Sequence, residues 1–280
     1  MKRACVTGWP VSHSRSPLIH GYWLKRYGIE GEYVRQPVKP EGAEAFFRNL
    51  KTHGFVGCNV TVPLKETAFR AADRPDEAAK SVGAANTLWL EAGVLCASNT
   101  DIYGFIHNLD DQAPGWDKVG LPAAVLGAGG AARGIIRGLL DRGFQHIRLA
   151  NRTRERAEAI AASFGPAVTV FAWESRVAML TECGLLVNTT TLGMAGHEPL
   201  DIELSGFSLP GVVCDIVYTP LETDLLKRAR KAGLHTADGL GMLLHQAVPG
   251  FEKWFGVRPE ITAELRKLII ADLGALGARC

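Results

Sequence analysis

The stretch VLGAGGAARG, residues 125–134, constrains the fold of this chain more than any other. It sets Gly127, Gly129 and Ala132 in G-x-G-x-x-A spacing, with Ala128, Gly130 and Ala131 between them. Alone, that spacing could be a plain glycine turn. Here the apolar run AAVL precedes it and the amphipathic run AARGIIRGLLDRG follows, so it sits between a predicted strand and a predicted helix. That context reads as a dinucleotide fingerprint. Gly127 permits the tight turn, and Gly129 lets the backbone approach a pyrophosphate at the helix N-terminus.

The grammar continues downstream. HIRLANR, AVTVFA, LLVNTT and GVVCDIVY read as strands, and TRERAEAIAASFG, ESRVAMLTEC and LETDLLKRARKAG as helices between or after them. Strands alternating with helices predict a parallel sheet covered on both faces. After Gly239 come two helical runs, LGMLLHQAVPGFEKWFG and PEITAELRKLIIADLGALG.

The end of the second strand of this region discriminates between cofactors. NAD sites usually place an acid there for the ribose 2′-hydroxyl. This chain has NRTRER at 151–156, with no acid at the strand end. Asn151, Arg152 and Thr153 offer donors, and Arg154 and Arg156 add positive charge. Guanidinium forks match phosphate geometry, so the loop predicts a 2′-phosphate and hence NADP. With no metal-ligand spacing in the chain, fingerprint and loop together point to hydride transfer.

The other reactant falls to the first hundred residues, where helix and strand signals mix. In SPLIHGYWLKRYG, Ser16 reads as an N-cap and Pro17 as the first helical residue, with Gly28 as the stop. EGAEAFFRNLKTHG repeats that pattern and ends at Gly54. NTLWLEAGVLCASNTD reads as two strands around Ala92-Gly93. In GCNVTVPLKE, Cys58, Val60 and Val62 alternate with Asn59 and Thr61 as a strand should, and Pro63 is expected to end it. Lys65 then stands just past the strand end, where crevices form in layered α/β folds. Ser14, Ser16, Thr61, Lys65, Asn86 and Asp101 all fall at predicted strand or turn ends. Each alone has an ordinary reading as cap, turn residue or solvated charge. Together, their hydroxyl, amide and charged groups suit a small polyhydroxylated acid.

The bulk properties agree. The chain has 280 residues, enough for two domains, and its net charge of +2 argues for neither nucleic acid nor a membrane surface. No apolar run is long enough to span a bilayer, and the start MKRACVTGWPVSHS lacks the apolar core of a signal peptide. The six cysteines, Cys5, Cys58, Cys96, Cys183, Cys214 and Cys280, show no CxxC pair. They read as buried thiols of a reducing compartment, which predicts a cytoplasmic protein without a metal.

The runs GWPVSHSRSP, NVTVPLKE, GAANT, NTD, GAGGAAR, NRT, DIVYTPLETDLL and DGLGMLLHQA, in this order along nearly the whole chain, resemble the NADP-dependent, biosynthetic shikimate dehydrogenases. The resemblance implies reversible reduction of 3-dehydroshikimate to shikimate with NADPH by a monomer or homodimer. It implies that Ser14 and Ser16 bind the substrate carboxylate, that Thr61, Asn86 and Gln246 hold hydroxyls, that Tyr218 closes the site, and that Lys65 and Asp101 form the catalytic pair. Ile216 and Gly239 would lie along the nicotinamide, and Glu77 matches a position where some members place a cofactor contact. The implied layout is an N-terminal α/β substrate domain (1–103), a Rossmann-type doubly wound parallel-sheet NADP domain (104–238) and C-terminal helices (239–280) returning to the first domain. Gly104, Gly239 and Gly241 stand near the joins, where a hinge would need them. A quinate/shikimate dehydrogenase with relaxed cofactor use is the alternative, although such relatives usually carry an acid near the NADP loop. Methylenetetrahydrofolate dehydrogenases lack a counterpart of SHSRSP. A ligand-sensing homologue without catalysis should have lost Lys65 or Asp101.

Overall fold

Gly57 cannot carry a side chain, because a Cβ there would stand 2.1 Å from Trp254 Nε1 and 2.3 Å from the Leu88 carbonyl. That crowding marks the centre of a mixed sheet. The computed structural model describes residues 1–118 and 120–277, and the chain divides into two units. One unit holds Met1–Tyr103 and the chain from Leu244 onward, and the other holds Gly104–Leu243.

The first unit opens with β1 (Lys2–Gly8), α1 (Ser16–Arg26), β2 (Gly31–Pro37), α2 (Ala43–Arg48) and β3 (Gly57–Val60). It continues through α3 (Lys65–Ala71), β4 (Arg74–Pro75), α4 (Glu77–Val82), β5 (Thr87–Glu91) and β6 (Val94–Ser98). Its sheet runs β2-β1-β3-β5-β6-β4. β1 pairs parallel with β2 and β3, β3 and β6 pair antiparallel with β5, and β4 pairs parallel with β6. Ala92 and Gly93 turn the β5–β6 hairpin with positive φ, as the sequence predicts.

Several expectations for this unit need correction. β3 ends at Val60, so Pro63 does not end it, and Val62 is 69% exposed. All four residues of β3 are buried, because the strand is covered on both faces. Thr61 N–H still donates to the Thr7 carbonyl, and the chain then turns, with Leu64 N–H donating to Thr61 O. Ser16 is the first residue of α1 rather than its N-cap, which is Arg15. Ser14 Oγ accepts the Ser16 N–H at 3.3 Å, so the neighbouring serine does the capping. The helix in EGAEAFFRNLKTHG covers only Ala43–Arg48.

α5 (Thr100–Gln112) leads into the second unit, whose strands are β7 (Ala123–Leu126), β8 (Ile147–Ala150), β9 (Val168–Phe171), β10 (Leu185–Asn188), β11 (Val212–Asp215) and β12 (His235–Ala237). α6 (Gly130–Asp141), α7 (Arg154–Phe164) and α8 (Asp224–Lys231) lie between them in sequence. The sheet is all parallel, in the order β12-β11-β10-β7-β8-β9. Read from β7, that is the doubly wound order, with its switch point between β7 and β10. Both faces are apolar: Ala123, Val125, Leu149 and Val187 join one core, and Ala124, Leu126, Leu186 and Val213 the other. One sequence reading fails here, and one strand goes unread. ESRVAMLTEC forms only 3₁₀ turns at Trp173–Ser175 and Ala178–Leu180, with Arg176 holding the Trp173 and Asp201 carbonyls. The sixth strand, HTA, is too short to show periodicity.

The chain then forms α9 (Gly239–His245), α10 (Ala247–Phe255) and α11 (Ala263–Gly277). The run expected as one helix from Leu240 is therefore two, broken at Gln246. Pro249 has no N–H and its ring would collide with the His245 carbonyl in a continuous helix. The unit boundaries fall inside α5 and α9, so Gly104 and Gly241 are helical. Gly241 answers to packing: a Cβ there would overlap Asn108 Oδ1. The five described cysteines are free and buried, and Cys280 lies outside the described residues. No described helix is long and apolar enough to cross a membrane.

Candidate active site

Lys65 is the first residue of α3 and Asp101 the second of α5, so two helix starts deliver the opposite charges. A carboxylate is favoured at a helix N-terminus, and Asp101 N–H is itself capped by Asn99 Oδ1 at 3.2 Å. Lys65 Nζ donates to Asp101 Oδ2 at 2.5 Å. The other carboxylate oxygen, Oδ1, accepts from Asn86 Nδ2 at 2.8 Å. The lysine and aspartate side chains keep 30% and 21% of their exposure, so the pair is ordered yet open to a ligand. Lys65 O accepts from Ala85 N–H, which ties α3 to the loop that carries Asn86.

Asn86 is buried, and its amide is oriented by its partners. Oδ1 accepts from Thr100 N–H at 2.8 Å and from the Thr100 and Thr87 hydroxyls at 3.0 Å each. Ser14 and Ser16 lie together, with hydroxyls 3.2 Å apart, and Arg35 fixes their loop by donating to the Ser14 carbonyl. The Thr61 methyl lies against Gly8, where a Cβ would approach it to 2.4 Å. Gln246 is half-buried between α9 and α10 in the same unit.

The fingerprint belongs to the second unit. Gly127 has φ of +100°, and a Cβ there would meet Thr189 Oγ1 at 2.6 Å, so both backbone and packing require glycine. At Gly129 and Gly130 an added Cβ would meet nothing within 4 Å. That open space at the start of α6 is what close approach of a diphosphate requires, and nothing else in the packing explains two glycines there. Asn151 Oδ1 accepts from Ala128 N–H at 3.1 Å while its Nδ2 donates to Thr153 O at 2.7 Å. The asparagine thus joins the fingerprint turn to the β8–α7 loop. Arg154 pairs with Glu158 one turn along α7. Arg152 and Arg156 are exposed and make no ion pair with any described residue. The cationic loop therefore offers two guanidiniums rather than the three its sequence shows, and these residues fit the cofactor that the sequence predicts.

Tyr218 and Ile216 follow β11, both half-buried. Gly239 packs against the Ile216 backbone, since a Cβ would stand 2.2 Å from the Ile216 carbonyl oxygen. Glu77 starts α4 in the unit that lacks the fingerprint and accepts from Lys80 Nζ at 2.7 Å. Sequence reading missed two buried polar residues beside these sites. Asn59, inside β3, donates to Asn86 O and to Thr87 Oγ1. Asp215 ends β11 and accepts from Asn188, Thr223 and Val217 N–H, while burial raises its carboxyl to about 6. A polar residue interrupting an apolar strand was the signal available for both.

A doubly wound dinucleotide sheet in one unit and a half-buried lysine–carboxylate pair in the other define a nicotinamide-dependent oxidoreductase. Family models described as shikimate dehydrogenase substrate binding domain, shikimate / quinate 5-dehydrogenase and shikimate 5′-dehydrogenase C-terminal domain match residues 6–88, 118–193 and 239–266. A shikimate dehydrogenase (NADP(+)) of Azorhizobium caulinodans is 57% identical over 99% of each chain. The chain belongs to the shikimate dehydrogenase family. Among solved structures, shikimate 5-dehydrogenase of Thermus thermophilus, in complex with NADP(H) and shikimate, is 34% identical with a TM-score of 0.85, covering 97% of this chain and all of the other. Quinate dehydrogenase of Corynebacterium glutamicum, in complex with NAD, is 28% identical with a TM-score of 0.88, covering 96% of this chain and 99% of the other. The backbone is therefore shared by enzymes of different substrate and cofactor, and the side chains must separate them.

Proposed function

We propose that this chain catalyses the reversible reduction of 3-dehydroshikimate to shikimate with NADPH, a step of the shikimate pathway to aromatic amino acids. The observation that carries the reading is the open Lys65–Asp101 ion pair with Asn86 on its second oxygen. Bound NADPH supplies the hydride. The chain's own residues do the rest. Ser14 and Ser16, with adjacent hydroxyls, bind the substrate carboxylate. Thr61, Asn86 and Gln246 hold ring hydroxyls, and Tyr218 closes the site. The Lys65 ammonium donates a proton to the carbonyl oxygen as negative charge develops there, and stabilises that charge. In the reverse direction its amine accepts the proton. Asp101 fixes Lys65 by a charge-assisted bond and accepts from a substrate hydroxyl.

On the cofactor side, Gly127, Ala128, Gly129, Gly130 and Ala131 receive the diphosphate, Arg152, Thr153 and Arg156 bind the 2′-phosphate, and Asn151 holds the two loops in register. Ile216 and Gly239 form the nicotinamide wall, and Glu77 remains a candidate contact carried only by the family pattern. Residues 1–103 with the C-terminal helices serve the substrate, and the fingerprint unit serves the cofactor. We place the enzyme in the cytoplasm, as a monomer or homodimer.

The test is NADPH consumption with 3-dehydroshikimate, run beside 3-dehydroquinate and NADH. Turnover should be greatest with 3-dehydroshikimate and NADPH. Arg152→Ala should raise KM for NADPH on the order of tenfold, the loss expected for one charge-assisted phosphate contact, and leave NADH nearly unchanged. Better turnover with 3-dehydroquinate would move the enzyme to the quinate branch, and equal losses for both cofactors would remove the 2′-phosphate assignment.

A further inference from the structure

Two loops leave the C-terminal ends of the paired strands β10 and β11, and one buried carboxylate ties them together. Asp215, the last residue of β11, is fully buried. Its Oδ1 accepts from Val217 N–H at 3.1 Å, and its Oδ2 accepts from the Thr223 hydroxyl at 2.7 Å. A single side chain thus closes the following loop into a ring, and that loop carries Ile216 and Tyr218. Asn188, the last residue of β10, is equally buried and closes its own loop. Its Oδ1 accepts from the N–H and hydroxyl of Thr190, and its Nδ2 donates to the Leu192 carbonyl. Asn188 Nδ2 also donates to Asp215 Oδ1 at 2.9 Å, which joins the two loops.

Donor chemistry fixes the orientation. Thr190 N–H can only donate, so it holds Asn188 Oδ1 and leaves the amide NH₂ for Asp215. Asp215 meets an amide, a backbone N–H and a hydroxyl as donors, which suits an acceptor-only carboxylate. Burial still raises its carboxyl to about 6, a cost that an apolar residue at this strand end would avoid. The loop after Asn188 packs in turn on the fingerprint. A Cβ at Gly127 would meet Thr189 Oγ1 at 2.6 Å and Thr190 Cγ2 at 3.0 Å, and the Thr189 hydroxyl donates to the Leu126 carbonyl. Contact is therefore continuous from the fingerprint turn, through Asn188 and Asp215, to the Ile216 loop that backs on Gly239.

We infer that Asp215 and Asn188 are positioning residues, which hold the loop of Ile216 and Tyr218 in register with the fingerprint turn and so fix the nicotinamide against its wall. Both are fully buried and act through the loops they close. The inference rests on the reading above that Ile216 lines the nicotinamide. A ring free to take several poses is less often in the one from which hydride leaves, so the role belongs to turnover. The diphosphate and the 2′-phosphate are assigned to other loops and should not feel it.

Thr223→Val keeps the side-chain volume and opens the ring at Asp215 Oδ2, and Thr223→Ser restores it. Thr223 also caps α8, so Asn188→Ala, which leaves that cap intact, is measured beside it. Three quantities are read: kcat with 3-dehydroshikimate and NADPH, the fluorescence anisotropy of bound NADPH, and the dissociation constant of 2′-phospho-ADP-ribose, the cofactor without its nicotinamide. Thr223→Val and Asn188→Ala should each lower kcat about tenfold, the worth of one hydrogen bond to a charged group, and lower the anisotropy of the bound nicotinamide. Affinity for 2′-phospho-ADP-ribose should stay within about twofold of the parent, and Thr223→Ser should recover most of the loss. If one variant does not fold, the other decides. A kcat within about twofold of the parent in either folded variant, an unchanged anisotropy, an equal loss of 2′-phospho-ADP-ribose affinity, or no recovery in the serine variant overturns the inference. Ile216→Ala, run in parallel, separates the two readings. If it keeps full turnover and anisotropy, the wall assignment fails and the inference falls with it. A loss in Ile216→Ala with normal Thr223→Val and Asn188→Ala refutes the positioning role alone.

Discussion

Lys65 could be a solvated residue opening a helix, and only its partners argue otherwise. Its ammonium meets a carboxylate whose second oxygen is already committed to Asn86. The interactions proposed for it strengthen as the carbonyl becomes an alkoxide, so losing them should cost turnover more than affinity. Lys65→Ala should therefore lose about 10²–10⁴-fold in kcat, the usual range for general acid–base groups, with a smaller change in the substrate dissociation constant. Asp101→Asn should also be impaired, and the double variant should lose little more than the worse single one, because the two act as a unit. Near-normal turnover in Lys65→Ala would return it to the helix-start role. At this scale the sequence was legible at element ends: Lys65, Asp101, Asn86 and the two serines could be picked out by position, and the structure joins the first three by hydrogen bonds and sets the serine hydroxyls side by side. Arg154 misled, because its pairing with Glu158 depends on a helix face that sequence spacing permits but does not require. Asn59 showed only as a polar residue interrupting a strand, and that signal does not tell whether such a residue faces water or a buried partner.

Elements were legible wherever an apolar period ran long enough, and failed where neighbours decided the outcome. The doubly wound sheet is read from five of its strands, whose apolar runs serve two faces at once. β3 is the contrary case. Its alternation suggests one wet face, yet β1 and β5 flank it, and the Trp254 indole donates to the Leu88 carbonyl alongside Gly57. That packing is invisible in GCNV alone, because Trp254 is distant in sequence. It carries its own consequence. Gly57→Ala would drive a methyl into the indole and the Leu88 carbonyl, neither of which is the loose end of a flexible side chain. Overpacking of this kind costs about 1–3 kcal/mol, and this position should lie at the upper end. Denaturant unfolding of Gly57→Ala against the parent measures it, and an unchanged midpoint would show that the sheet centre yields more readily than the packing implies.

Across the whole molecule, two buried titratable groups give the units opposite responses to acid. His20, in the first unit, stacks on Tyr33 at 4.0 Å, and neither ring nitrogen has a hydrogen-bond partner. Burial lowers its pKa from 6.5 to about 3, and Asn59 lies close enough to oppose the shift without bonding to the ring. Asp215, in the second unit, is raised from 3.8 to about 6 by burial, against the pull of Thr223, Val217 N–H and Asn188. For His20 the unfolded chain binds the proton first as pH falls below 6.5, so stability is lost on acidification through the window from 6.5 toward 3. For Asp215 the folded chain binds the proton first, so stability is gained as pH falls from about 6 toward 3.8. Between pH 7 and pH 4.5 the first effect amounts to about 3 kcal/mol and the second to about 2 kcal/mol, at 1.36 kcal/mol per unit of pKa. The parent's global stability should then change little from these two groups, while variants separate them. Relative to the parent, His20→Phe should gain on acidification and Asp215→Asn should lose, as read from denaturant unfolding of all three at the two pH values. A shift of the same sign in both variants, or none in either, would mean that the buried charges are relieved by rearrangement rather than by protonation. The sequence names both residues, but the sign of each response comes from burial, which only the assembled units define.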